Sequence, residues 1–229
     1  MGTVHAGVES MLPTSDHRFP VLRDHVAATG SRFARAAALC SGLAVAGLFA
    51  MGAGAPASAE SYLQPKRTVV APTGFAGVCK RYSWACAGGQ GGSGRAEILQ
   101  MAQTVNRSVN QSVTQAADQG QYGTAELWAL PTGRGGDCED FALLKKREMI
   151  RLGAPAGRLL IATVLDRQRQ PHAVLVVRAD EGDYILDNLT NRIMRWDRTG
   201  YSFIRMQDPT APSRWAAVYA GGVFAANKL

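Results

Sequence analysis

Cys138 stands where a glycine-rich turn, GRGG at 133–136, runs into a stretch of good helix formers. A thiol at a helix start meets free peptide N–H groups and the positive end of the macrodipole, and both favour a thiolate. The small residues before it leave room for a substrate backbone to approach. The competing reading is a buried, inert thiol, the usual fate of a free cysteine. Against that, Cys138 lies among Asp137, Glu139 and Asp140 and not in an apolar run. A thiol becomes a strong nucleophile when a base stands beside it, and imidazole suits that task near neutral pH. His172 opens the run HAVLVV just after a polar turn. On composition alone it reads equally as a surface residue at a strand edge. Asp187 follows Tyr184, Ile185 and Leu186. A carboxylate pressed against a strand end needs a partner, and orienting an imidazole is one such partnership. A strand-end cap is the other, and spacing does not choose between them.

The remaining cysteines and histidines narrow the field. Of 229 residues, 1–59 read as a secretory leader. Arg32 and Arg35 precede an apolar run rich in Ala and Gly, and Ala57-Ser58-Ala59 offers a small-residue cut site. Met11 is an alternative start, and an uncleaved anchor is the alternative to a cleaved leader. Export to a secreted compartment is therefore expected. His5, His17, His25 and Cys40 fall inside the leader, so His172 is the one histidine of residues 60–229. An oxidising compartment pairs cysteines. Cys79 and Cys86, close together in CKRYSWAC, are expected to bridge, which leaves Cys138 as the odd thiol that needs an explanation.

The chain has 25 Lys and Arg against 18 Asp and Glu, a net charge of +7, but the charges are scattered. Lys145-Lys146-Arg147 is the densest cluster and reads as a solvated helix face, not a nucleic-acid patch. No DNA- or RNA-binding motif is present, so nucleic acid is not expected as a partner.

These residues need elements to position them. Residues 60–94 read as an extended, turn-rich segment ending in the loop AGGQGGSG, and 95–229 as the catalytic domain. Apolar residues recur at helical spacing from 95 to about 117. A second helix is expected over 139–152, with Asp137 as N-cap and Gly153 as its stop. Trp128, upstream of the nucleophile, reads as a buried structural residue. Strand-like runs follow at 158–165, 173–178 and 184–186, separated by polar turns, so consecutive antiparallel pairing is expected. Trp196, Phe203, Trp215 and Tyr219 suggest one or two more strands. Helix, helix and then meander is an α+β order.

In combination the pieces VNRSVNQSV, QYGTAELWALP, GGDCEDFALLKKREMIRLG, the stretch around His172 and YILDNLTNRI, followed by Trp196, resemble the bacterial transglutaminase-like cysteine peptidases. The resemblance covers most of residues 60–229 and implies a papain-like, transglutaminase-type α+β fold. The nucleophile would sit at a helix N-terminus packed on an antiparallel sheet. It makes Cys138 the nucleophile, His172 the base and Asp187 the orienting carboxylate. It further implies a periplasmic protease acting on a protein substrate, such as a surface adhesin whose cleavage releases a biofilm. A regulatory inner-membrane protein is a further implied partner. In that family the acids beside the nucleophile bind calcium, and the matching positions are Asp137, Glu139 and Asp140. Clustered oxygen ligands suit a hard cation. A capping aspartate followed by first-turn acids fits the same residues. Acyl transfer to an amine, and a binding module that has lost its chemistry, are the alternatives to hydrolysis.

Overall fold

A computed structural model describes residues 61–89 and 95–225. The expected leader lies outside them, as does part of the AGGQGGSG loop. Among the described residues no helix is long and apolar enough to cross a membrane.

The fold is α+β. Helix α1 (Val78–Arg81) and a 3-10 turn (Ser83–Cys86) come first. Helices α2 (Arg95–Ser112), α3 (Asp118–Tyr122) and α4 (Cys138–Arg151) precede most of the sheet, and a short α5 (Gly222–Ala225) follows it. The strands are β1 (Thr68–Val69), β2 (Leu159–Leu165), β3 (Pro171–Ala179), β4 (Gly182–Leu186), β5 (Met194–Arg195), β6 (Ser202–Asp208) and β7 (Ala211–Ala220). They form one antiparallel sheet in the order β1-β7-β6-β2-β3-β4-β5. Consecutive pairing, as expected, runs from β2 to β5. It fails at β6, because the chain turns through Trp196–Arg198 and returns to the other side of β2.

Two-residue alternation along β2 and β3 divides the core. Leu159, Ile161, Ala173, Leu175 and Val177 join the cluster that includes Ile98, Val105 and Phe141 of α2 and α4. Leu160, Ala162, Val174 and Val176 join a second cluster with Leu63, Tyr201, Phe203 and Val218. Phe75, Trp128 and Trp215 meet edge to face in the first cluster, with centroids 5.0–6.0 Å apart. Trp128 is buried there as expected, although its ring also reaches a cleft wall.

Helix α4 departs from expectation in its pair of lysines. Lys145 and Lys146 do not form a solvated face; they are 1% and 0% exposed. Lys146 extends its ammonium to the carbonyl of Ala85 (2.7 Å) and to Gln207 Oε1 (2.8 Å). Lys145 lies 5.6 Å from the Phe141 ring centre. The helix stops as expected at Gly153, whose φ is +99°. Past it, Ala154 N–H donates to Met149 O. Cys79 and Cys86 are disulfide-bonded and Cys138 is free.

Candidate functional site

Gly135 and Gly136 set the direction from which α4 begins. Gly135 has φ +111°, and a Cβ there would stand 2.1 Å from Thr114 O. A Cβ on Gly136 would stand 2.7 Å from Asp140. Both are buried, so the close approach they permit is to the protein's own chain and not to a substrate. The turn is tied down by Gly136 N–H to Thr114 O (3.1 Å) and Ala116 N–H to Gly136 O (2.9 Å).

Cys138 is the first residue of α4, and Asp137 holds the N-cap place with extended backbone. The Asp137 carboxylate does not cap the helix; its Oδ2 accepts from Asp118 N–H at 3.4 Å. Asp140, at the third helical position, faces the Asp137 backbone, where the returning half of a capping box would lie, and its Oδ1 accepts Ala129 N–H at 2.8 Å. The Cys138 thiol donates to Glu139 Oε2 at 3.2 Å. Burial, then the charge and hydrogen bond of Glu139, push the thiol pKa well up, and only the Ala173 backbone pulls it down. The thiolate expected from the helix terminus is thus outweighed, because burial of the thiol, and then the Glu139 side chain in contact with it, oppose the macrodipole's roughly half charge.

The β2–β3 hairpin places His172. Asp166 Oδ1 accepts both Gln168 N–H and Gln170 N–H at 2.8 Å, and Arg169 takes φ +62° between them. This tight turn fixes the register in which His172 pairs with Val164. His172 is buried, 8% exposed, and not the surface residue its composition suggested. The backbone of the next residue, Ala173, is the one neighbour that favours the Cys138 thiolate. His172 Nε2 lies 2.9 Å from Asp187 Oδ1.

Asp187 leaves the end of β4 into a loop clamped by α2. Asn106 Oδ1 accepts Asp187 N–H (3.0 Å), and Asn110 Nδ2 donates to Asp187 O (2.9 Å). The carboxylate is 3% exposed. Burial alone would raise its pKa, but hydrogen bonds from His172, Tyr201 and Leu189 N–H more than offset this and hold it below the usual range. Cys138, Glu139 and His172 line one cleft of about 470 Å³ with Val70, Trp128 and Arg205.

The acidic group assembles differently from the expected one. Asp137 and Glu139 are joined by Asp118, and one carboxylate oxygen from each lies within 4.8 Å of the others. Asp140 stays out of that set: its Oδ1 accepts Ala129 N–H, and its Oδ2 is buried without a hydrogen-bond partner. Asp118 Oδ1, Asp137 Oδ1 and Glu139 Oε1 are buried without a hydrogen-bond partner. Burial, and then the Asp137 charge, raises the Glu139 pKa far above the carboxylate range; burial also raises that of Asp118. Asp118 was not legible beforehand. It stands 19 residues before Asp137 on a short helix that periodicity did not mark, and an acid in a helix's first turn is ordinary.

A sequence profile of the bacterial transglutaminase-like cysteine proteinases (BTLCP) matches residues 66–222. No curated protein is matched. Solved structures of Legionella pneumophila LapG are similar. The calcium-bound form is 22% identical over 55% of this chain and 71% of its own, with TM-score 0.45. An EGTA-treated form is 24% identical over 48% and 63%, with TM-score 0.42.

Proposed function

The chain belongs to the bacterial transglutaminase-like cysteine proteinases, cysteine peptidases acting on protein substrates, and on that premise we propose that Cys138, His172 and Asp187 are its catalytic triad. The observation that carries this is the buried 2.9 Å contact of His172 Nε2 with Asp187 Oδ1, in the same cleft as the thiol at the start of α4. Donation of Nε2–H to the carboxylate leaves Nδ1 with the lone pair and makes it the base. His172 takes the thiol proton as sulfur attacks the peptide carbonyl, then gives it to the leaving amine. Backbone N–H groups of the uncapped first turn of α4 are suited to receive the oxyanion. Water, deprotonated by the same imidazole, then hydrolyses the acyl-enzyme. Cys138→Ala and His172→Ala should abolish proteolysis with the fold intact, while Asp187→Ala should cost less. Retained activity in His172→Ala would sink the triad.

We further propose a calcium site on Asp118, Asp137 and Glu139. Three buried, unpartnered carboxylate oxygens suit a hard cation. When bound, the ion supplies positive charge beside Cys138 that opposes the acids holding the thiol protonated. Export to the periplasm, with a surface adhesin as substrate and an inner-membrane regulator, completes the proposal. The leader-like residues 1–59, the disulfide and the family resemblance support it. Trapping with Cys138→Ala protein in periplasmic and outer-membrane extracts tests it, and capture of no envelope protein would count against it.

A further inference from the structure

The carboxylate of Asp187 is held by more than the imidazole. Its Oδ1 receives His172 Nε2 and Leu189 N–H, each at 2.9 Å, and its Oδ2 accepts the hydroxyl of Tyr201. The end torsion of an aspartate is broad and roughly two-fold, so donors at one oxygen leave the carboxylate plane loosely defined. A donor at the second oxygen, coming from another part of the chain, fixes it. Tyr201 is itself fixed. It is 7% exposed, its N–H donates to Thr199 Oγ1 (3.1 Å), and that hydroxyl donates to Trp196 O (2.8 Å). Its ring stands edge-on to the His172 imidazole, with centroids 6.0 Å apart and planes at 86°. One side chain therefore touches both the carboxylate and the base it orients, from the residue just before β6, which the chain reaches by returning to the far side of β2.

Resting on the triad above, we propose that Tyr201 is a positioning residue: its hydroxyl locks the Asp187 carboxylate, and its ring bounds the imidazole, so that His172 keeps its proton on Nε2. A donor on Oδ2 also spreads the carboxylate charge, so the proton stays on the imidazole and does not pass to Asp187. Tyr201→Phe removes one oxygen, keeps the ring, and leaves Oδ2 buried and unpaired.

The test uses the full chain and two readouts that need no peptide substrate. Histidine ring nitrogen spectra, with His172 identified as the signal missing from His172→Gln, report its tautomer. Iodoacetamide, as the probe, reports the alkylation rate of Cys138. Wild-type His172 should carry its proton on Nε2. In Tyr201→Phe the tautomers should mix, and alkylation should slow about tenfold, the size expected for loss of one hydrogen bond to a charged group. A variant that melts lower but keeps the wild-type tautomer and alkylation rate would confine the hydroxyl to stability and overturn the proposal. Failure of the triad itself looks different: His172→Gln would then alkylate like wild type. If Tyr201→Phe loses its fold, wild-type protein still decides, since His172 protonated on Nδ1 overturns the arrangement outright.

Discussion

Each residue of the cleft has its proton affinity set by what it touches. The Cys138 thiol donates to Glu139 Oε2, and burial together with that neighbour disfavours its thiolate. Glu139→Gln removes the negative charge that Glu139 takes on as it loses its proton around its raised pKa of about 9. The thiol pKa should therefore fall, and alkylation of the calcium-free protein above about pH 9, where wild-type Glu139 is ionised, should quicken by about tenfold per unit of pKa lost. An unchanged rate would show that burial alone controls the thiol. Cys138, His172 and Asp187 were legible as candidates because each bears its chemistry in its type: the thiol stands among acids at a helix start, and His172 and Asp187 stand at the edges of apolar runs. The state of the thiol was not, since it depends on which way Glu139 turns. Tyr201 was hidden for a related reason: an aromatic before a strand is ordinary, and only the crossover of β6 brings its hydroxyl to Asp187. The asparagines of α2 did leave a trace. Asn106 lies four before Asn110 among the apolar positions of an amphipathic helix, and both clamp the loop carrying Asp187.

At the scale of elements, α4 carries the proposed nucleophile at one end and a buried ammonium in its middle. Burial lowers the pKa of Lys146 to about 7, and its partners, Ala85 O and Gln207 Oε1, are neutral. The folded state thus binds this proton less well than the unfolded chain does. The destabilisation from holding the charge is complete below about pH 7 and is relieved as pH rises toward the ordinary lysine range. Lys146→Met removes the charge at similar length. Both acceptors keep a partner, since Gln207 Nε2 reaches Ala85 O (2.9 Å) and Ile161 N–H reaches Gln207 Oε1 (3.0 Å). The variant should melt higher than wild type at pH 6, with the gap closing by pH 9. A lower melt at pH 6 would mean that the ammonium's hydrogen bonds outweigh its burial. Periodicity found α2, α4 and β2 to β4 within a few residues, because long regular segments advertise themselves. It missed β1 and β5, of two residues each, and α3, of five, which tertiary contacts hold in place.

At the scale of the whole molecule, the acidic cluster fastens parts that the chain keeps apart. Asp118 stands on α3, Asp137 in the turn before α4 and Glu139 within it. Three carboxylates this close repel when ionised, and burial adds to the cost. The pKa values of Asp118 and Glu139 are raised, so between the ordinary carboxylate range and those raised values the folded state holds more protons than the unfolded chain. Without a cation, stability must therefore fall as pH rises through that window. Calcium at the proposed site would reverse the sign of the problem by taking the place of the protons. At a hundredfold excess over its dissociation constant a bound ion adds about 2.7 kcal/mol of stability. For a domain of this size that corresponds to a melting shift of about 5–10 °C. The gap in Tm between calcium-loaded and EGTA-treated protein should then be small near pH 5, where Glu139 keeps its proton, and should widen as pH rises toward about 9, where that proton leaves. Mg²⁺ should close little of it, since it demands tight octahedral geometry and sheds water reluctantly. Asp118→Asn should narrow the gap at pH 8, whereas Asp140→Asn should lower Tm by weakening the start of α4 yet leave the gap as wide. A calcium-dependent gap that ignores pH, or one that survives Asp118→Asn and vanishes with Asp140→Asn, would move the ion to another set of oxygens.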